Sequence, residues 1–159
     1  MSEMSKITRT VASLAFPFIL IFGLYVIIHG HLTPGGGFQG GAIVASACVM
    51  LLVAYGSENV GKRLKEEHLS TLESVGALGF IGLAFAGIGT AFFYNLFANT
   101  GGLFGNTVEF GINAGDLNTS GVIPWMNIAV GIKVMAGLTA IVLTMAIASN
   151  KHFDKEGEE

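Results

Sequence analysis

Long apolar runs dominate this chain, and the charged residues fall between them. Asp, Glu, Lys and Arg are absent from residues 11–57 and 74–108, and residues 117–150 contain one of them, Lys133. A helix needs about 20 apolar residues to cross a hydrocarbon core of roughly 30 Å, and the runs lack the alternation of barrel strands. The pattern predicts an all-α integral membrane four-helix bundle, with helices over about 8–29, 39–56, 74–97 and 122–149.

Composition agrees with a membrane location, and the basic residues predict the orientation. Of the 159 residues, 52% are hydrophobic and 12% are charged, against about a quarter charged in soluble domains. Outside the apolar runs, every Lys and Arg precedes the first helix, follows the fourth, or lies between the second and third. The positive-inside rule therefore predicts that both termini and the 57–73 connection are cytoplasmic. Residues 1–159 are predicted to form a single membrane domain.

The first outer connection is short and rich in glycine. Pro34 fixes its own φ and disfavours helix at Thr33, and the glycines after it permit positive φ and close backbone approach. We predict a helical hairpin with a close-packed corner. A phosphate cradle or an ion-coordinating loop is the alternative, although no Lys-Ser/Thr follows the glycines as in a phosphate loop. The corner residues are Gly30, His31, Pro34, Gly35, Gly36, Gly37, Phe38, Gly40 and Gly41.

Polar side chains at the outer surface are candidates for a binding role. His29 and His31 are two residues apart, so they do not share a helix face, and polar surface groups are favoured over a metal site. The second outer connection, about 98–121, carries Glu109 and Asp116. This acidic pair could draw cations toward an entrance, but solvation of a loop is the favoured interpretation.

The cytoplasmic connection Ser57–Glu73 is predicted to form a short solvated helix. Glu58 and Lys62, and also Arg63 and Glu67, are four residues apart and can pair on a helix. A surface helix at the lipid headgroups is favoured over a docking site for a soluble partner.

Lys133 lies near the middle of the fourth predicted helix, about 16 Å from its outer end. An ammonium at this depth costs at least about 2.5 kcal/mol, so it must face protein or water or find a partner. Glu73, Glu109 and Asp116 are expected in loops or at helix ends, so any counter-charge is expected from another subunit. Lys133 and Asn127 are the candidate residues of an ion or proton path. The alternative is a structural lysine bonded to backbone carbonyls.

The sequence contains no residue pattern typical of an enzyme. It lacks a nucleophile with a base, a metal-ligand spacing, a cofactor motif and a basic nucleic-acid patch. Cys48 is the single cysteine, so no intrachain disulfide is possible. We predict a non-catalytic protein without catalytic residues, metal, cofactor or nucleic-acid partner of its own.

The corner closely resembles the MrpB/MnhB family, one of the small membrane components of the multisubunit sodium/proton antiporters known as Mrp or Mnh. The run from Gly30 to Gly41 reads G-H-L-T-P-G-G-G-F-Q-G-G and follows F-P-F-I-L-I-F-G-L-Y. In that family G-H-x-x-P-G-G-G-F-x-G-G joins the first two helices of a four-helix subunit. The run N-I-A-V-G-I-K, from Asn127 to Lys133, departs from the acidic D-I-G-V of the bacterial proteins. It is more similar to archaeal-type versions, including those attached to hydrogenases.

The resemblance implies an accessory subunit, in the plasma membrane of a prokaryote, of an assembly that exchanges Na⁺ for H⁺. Its expected partners are the lipid bilayer and other Mrp-type membrane subunits, with hydrogenase-type subunits in some assemblies. Two host assemblies stay open: a stand-alone antiporter, and an energy-converting membrane-bound hydrogenase or sulfur-reducing respiratory complex. The alternative function is a structural scaffold that seals and braces neighbouring ion-translocating subunits.

Overall fold

The computed structural model describes residues 4–61, 64–108 and 116–156. Within them the chain forms helices α1 (Lys6–Ile28), α2 (Gly36–Tyr55), α3 (Ser57–Gly61), α4 (Glu66–Phe85) and α5 (Val122–Glu156). Among these residues, α1, α2, α4 and the Val122–Ser149 part of α5 are each long and apolar enough to cross a membrane. The prediction of an all-α protein with four membrane-spanning helices is therefore confirmed.

Helices α2 and α5 lie at the centre of the bundle. α2 packs against α1 on one side and α5 on the other, and α4 packs along α5. α2 and α5 run in the same direction, since Gly37 lies beside Asn127 and Leu52 belongs to the same apolar cluster as Leu143 further along. Leu69 of α4 completes that cluster. The helices thus follow the spatial order α1, α2, α5, α4.

The corner between α1 and α2 departs from its prediction in one respect. α2 begins at Gly36, three residues before the predicted start, so Gly36 and Gly37 are helical. Gly35 precedes them with φ +79°, and within the corner it is the glycine with positive φ. Gly36 and Gly37 instead allow neighbouring backbone segments to approach closely. A Cβ atom on Gly36 would collide with the Cα atom of Gly30, and one on Gly37 would lie 2.8 Å from the Asn127 carbonyl oxygen.

The third membrane helix was predicted at about 74–97, and that prediction is wrong at both ends. α4 begins at Glu66 and ends at Phe85. The connection before it was predicted as one short surface helix. In the structure α3 forms the start of that connection, and the first two turns of α4 form its end. Residues 86–97 are apolar but fold into turns, since Gly87 and Gly89 weaken a helix. The Phe93 N–H donates to the Ala84 carbonyl at 3.0 Å, so the chain folds back on α4.

The segment after α4 is tied to the start of α5. The Asn95 side chain accepts a hydrogen bond from the Val122 N–H at 2.8 Å and donates one to the Ser120 carbonyl at 3.1 Å. The first N–H groups of a helix lack partners within it, so Asn95 caps α5. The Phe104 N–H donates to the Asn118 side chain. These hydrogen bonds hold the described part of the second outer connection over the start of α5.

Candidate functional site

Lys133 lies on α5 close to the middle of its span, with an exposed side chain. It is eleven positions after Val122 and sixteen before Ser149, the ends of the apolar part of α5. Gly76 of α4 is packed directly on it. A Cβ atom placed on Gly76 would lie 2.8 Å from the main-chain nitrogen of Lys133 and 3.0 Å from the Cβ atom of Lys133. The missing side chain of Gly76 therefore brings α4 into backbone contact with α5 beside Lys133.

Glu73 is the functional candidate that sequence reasoning missed. It was expected at a helix end, and this is wrong: Glu73 lies seven residues inside α4, because α4 starts at Glu66. A Cβ atom placed on Gly137 would lie 3.4 Å from the Glu73 carboxylate carbon and 3.5 and 3.6 Å from its two oxygens. The span therefore does contain a carboxylate of this chain. Its helical position would have been found only by extending α4 through the charged residues that precede Ser74.

The depth of the Glu73 carboxylate follows from the glycine that it contacts. Gly137 is fifteen positions after Val122 and twelve before Ser149, which places it about 2 Å from the midpoint of the span. Lys133 is about 4 Å to the other side of that midpoint. Residues four apart share a helix face, so Lys133 and Gly137 both face α4. We call the set Glu73, Gly76, Lys133 and Gly137 the α4–α5 polar crossing.

Asn127 was predicted to share a path with Lys133, but it faces a different helix. Its side-chain nitrogen lies 2.9 Å from where a Cβ atom on Gly30 would stand, and its carbonyl packs against Gly37. Six residues separate it from Lys133, about 9 Å along the axis. Asn127 therefore belongs to the outer corner between α1 and α2, and the structure does not bring it to the α4–α5 polar crossing.

The two histidines of the corner have different surroundings. The His29 ring is 3.9 Å from the Tyr25 ring between centroids, and its Nδ1 lies 3.0 Å from the Tyr25 carbonyl oxygen. The His31 ring meets Phe104 edge-on at 6.0 Å. Both ring nitrogens of His31 and the side-chain nitrogen of Asn127 are buried without a hydrogen-bond partner in the described structure. Such groups in folded proteins are ordinarily satisfied by water or by a partner.

The remaining candidates do not converge on one site. Asp116 is half-buried, and its side chain accepts from the Asn118 N–H at 3.4 Å, so it stabilises the outer connection locally. Glu109 lies outside the described residues. No group of three or more His, Cys, Asp or Glu side chains comes together as metal ligands in the ranges the structure describes.

Four membrane-spanning helices, a glycine corner and charged groups at mid-span define a helical polytopic membrane protein. The chain belongs to the family described as "Domain related to MnhB subunit of Na+/H+ antiporter", whose model matches residues 7–140. The resemblance seen in the corner is thereby confirmed over most of the sequence.

Two relatives from different organisms match parts of the chain. An uncharacterized protein of Methanocaldococcus jannaschii is 38% identical over 137 residues, which cover 83% of this chain and 50% of the relative. A Staphylococcus aureus (strain Newman) protein that bears the name antiporter subunit mnhB2 is 43% identical over 60 residues, 38% of this chain and 43% of that protein. The chain thus spans about half the length of the curated relatives it matches.

A solved structure matches nearly the whole fold. The chain is similar to one in the membrane-bound sulfane sulfur reductase, an archaeal respiratory membrane complex, with a TM-score of 0.73 and 34% identity. The match covers 91% of this chain and 59% of that one. The family therefore occurs both among antiporter subunits and in a respiratory membrane complex.

Proposed function

We propose that this chain is a non-catalytic membrane subunit of an Mrp-type sodium/proton exchange module, in which Lys133 contributes to the ion path. The observation that carries the proposal is the exposed Lys133 side chain near mid-span. Facing lipid, an ammonium at this depth costs at least about 2.5 kcal/mol. Protein or water of the assembled complex must therefore cover it, and ionisable residues inside membrane spans characteristically mark ion pathways.

The proposed assembly consists of this chain and other Mrp-type membrane subunits in the plasma membrane of a prokaryote. Na⁺ and H⁺ are its transported ions, and the chain itself carries no cofactor. Both termini and the connection between α2 and α4 face the cytoplasm, where the basic residues lie. The likeness to a chain of the sulfane sulfur reductase over 91% of the sequence favours a redox-driven host complex. The shorter match to mnhB2 favours a stand-alone antiporter.

Purification in mild detergent through a tag on this chain distinguishes the two possible host complexes. Mass spectrometry of the co-purifying chains should find antiporter-type membrane subunits in either case. Nickel–iron or iron–sulfur subunits among them would identify the redox-driven complex. Recovery of this chain alone, intact and monodisperse, would contradict the proposal.

The transport role is tested by Lys133→Ala in the whole complex. We expect sodium/proton exchange in reconstituted vesicles to fall by about tenfold or more, while the complex still assembles. Ile141→Ala is the matched control, because Ile141 is an exposed apolar residue of the same helix. The scaffold alternative predicts instead that Lys133→Ala is silent, or that it removes exchange only by disassembling the complex.

A further inference from the structure

We infer that the Glu73 carboxyl group is a mid-membrane proton-binding site, one that takes up and releases a proton as ions are exchanged. The inference deepens the proposed function and rests on it for its link to transport. Glu73 belongs to the α4–α5 polar crossing, whose other charged residue is Lys133.

The position of Glu73 is the first support. The residue is half-buried, and its carboxylate lies against Gly137 of α5. That level is about 2 Å from the midpoint of the α5 span. A carboxylate this deep is costly, and in membrane proteins such residues face protein or water and mark proton or ion pathways.

Lys133 and the first turn of α4 supply the neighbouring charges. Lys133 lies one helical turn from Gly137, on the face of α5 that meets α4. α5 is the helix that packs along α4, and Lys133 is the charged residue of its span. On α4 itself, Glu66, Glu67 and His68 lie in the first turn, about 8 Å or more from Glu73 along the axis.

The chemistry is one reversible proton transfer. A proton delivered through water forms an O–H bond at one carboxyl oxygen of Glu73, and the carboxylate charge changes from minus one to zero. Release to water on the other side breaks that bond and restores the charge. No oxidant, reductant or further reactant takes part.

The first test is covalent labelling of the purified complex with dicyclohexylcarbodiimide, followed by mass spectrometry of this chain. This apolar reagent adds to protonated carboxyl groups in apolar surroundings, so we expect an adduct on Glu73 that diminishes as the pH rises. Glu67 is the matched control, since it is exposed in the first turn of the same helix and should stay unmodified. A Glu73 that remains unlabelled at every pH, or that reacts no more than Glu67, would overturn the inference.

The second test measures sodium/proton exchange by complexes that carry Glu73→Gln, Glu73→Asp or the control Glu67→Gln. Glu73→Gln should lower exchange by about tenfold or more. Glu73→Asp should retain part of it with a displaced pH profile, and Glu67→Gln should match the unmodified complex. Exchange by Glu73→Gln within about twofold of the unmodified complex contradicts the inference, since loss of a proton-transfer group costs far more.

The two tests separate this inference from the proposed function. An unmodified complex without sodium/proton exchange refutes the proposed function, and with it the link of Glu73 to transport. A complex that exchanges ions but is indifferent to Glu73→Gln refutes the inference alone. If Glu73→Gln prevents assembly, the labelling of Glu73 in the unmodified complex decides whether the inference stands.

Discussion

At the residue scale, glycines set how closely α2 and α4 approach α5. A Cβ atom on Gly37 would lie 2.8 Å from the Asn127 carbonyl oxygen, and one on Gly76 would lie 2.7 Å from that of Ala129. Both obstacles are backbone atoms of a helix, so they cannot rotate away as a side-chain end would. Small residues of this kind let membrane helices associate through close packing. Gly82 differs, since a Cβ atom there would meet nothing within 4 Å.

This contrast predicts opposite outcomes for two Gly→Ala substitutions. Gly37→Ala should destabilise the corner by about 1–3 kcal/mol, the usual cost of overpacking. Gly82→Ala should be neutral or stabilising by up to about 1 kcal/mol, because alanine restricts the unfolded chain and favours helix. The measurements are the thermal denaturation midpoint of the purified complex and the amount of this chain retained in it. Equal behaviour of the two variants would show that Gly37 is not needed for close approach.

At the element scale, a side chain from the segment after α4 completes the start of α5. The two hydrogen bonds of Asn95, to Val122 and Ser120, join parts of the chain that lie more than twenty residues apart in sequence. They anchor the helix that carries Lys133 and faces Glu73. The cap also holds residues 86–97 in turns, the region in which the apolar pattern predicted more helix.

Asn95→Ala should therefore lower the unfolding free energy by about 1 kcal/mol, as loss of a helix cap does. Asn106→Ala is the control, because Asn106 is an exposed residue of the same outer connection and should change stability by less than about 0.5 kcal/mol. Asn95→Asp keeps the acceptor for the Val122 N–H but loses the donor to Ser120, so an intermediate loss is expected. Denaturation of the purified complex measures all three, and an Asn95→Ala variant as stable as Asn106→Ala would argue against the cap.

At the scale of the whole molecule, the outer helices leave large apolar surfaces uncovered. Ile7 and Phe18 of α1 are 78% and 68% exposed, and Leu78 of α4 is 67% exposed. In a bilayer such surfaces face lipid or the helices of other subunits, so they are compatible with a membrane protein and not with a soluble one. Four spans would return the chain to its starting side, so we expect the start of α1 and the end of α5 on one face of the membrane.

We predict that this face is cytoplasmic, as the basic residues indicate. In intact cells that express the whole complex, a membrane-impermeant maleimide should label an Asn106→Cys variant. It should label a Met4→Cys variant only after permeabilisation. Both variants carry Cys48→Ala, since Cys48 is a free thiol. Labelling of the Met4→Cys variant in intact cells, without labelling of the Asn106→Cys variant, would invert the topology.

The membrane class, the number of spans and the family could all be established from the amino-acid sequence. These properties depend on the length of apolar runs and on one short glycine-rich segment, and both are local. Lys133 was found for the same reason, because a single charge inside an apolar run is visible without any structure. Helix ends were less accessible. Hydropathy alone does not predict either end of α4, because the helix begins in a charged stretch and the apolar residues 86–97 form turns. Asn95 and the glycines determine where the chain turns.

Contacts between polar groups of different helices could not be predicted from the sequence. They are seen only in the packed structure. Sequence reasoning grouped Asn127 with Lys133 because they lie on one helix, yet helix packing sends Asn127 to the corner beside Gly30 and Gly37. It set Glu73 aside as a partner of Lys133 because Glu73 was expected in a loop or at a helix end. α4 begins at Glu66 instead, and its antiparallel packing on α5 brings both residues to mid-span. The physical reason is that register between helices depends on where backbones can approach. At the α4–α5 polar crossing that point is Gly76, whose missing side chain sets the depth of Glu73.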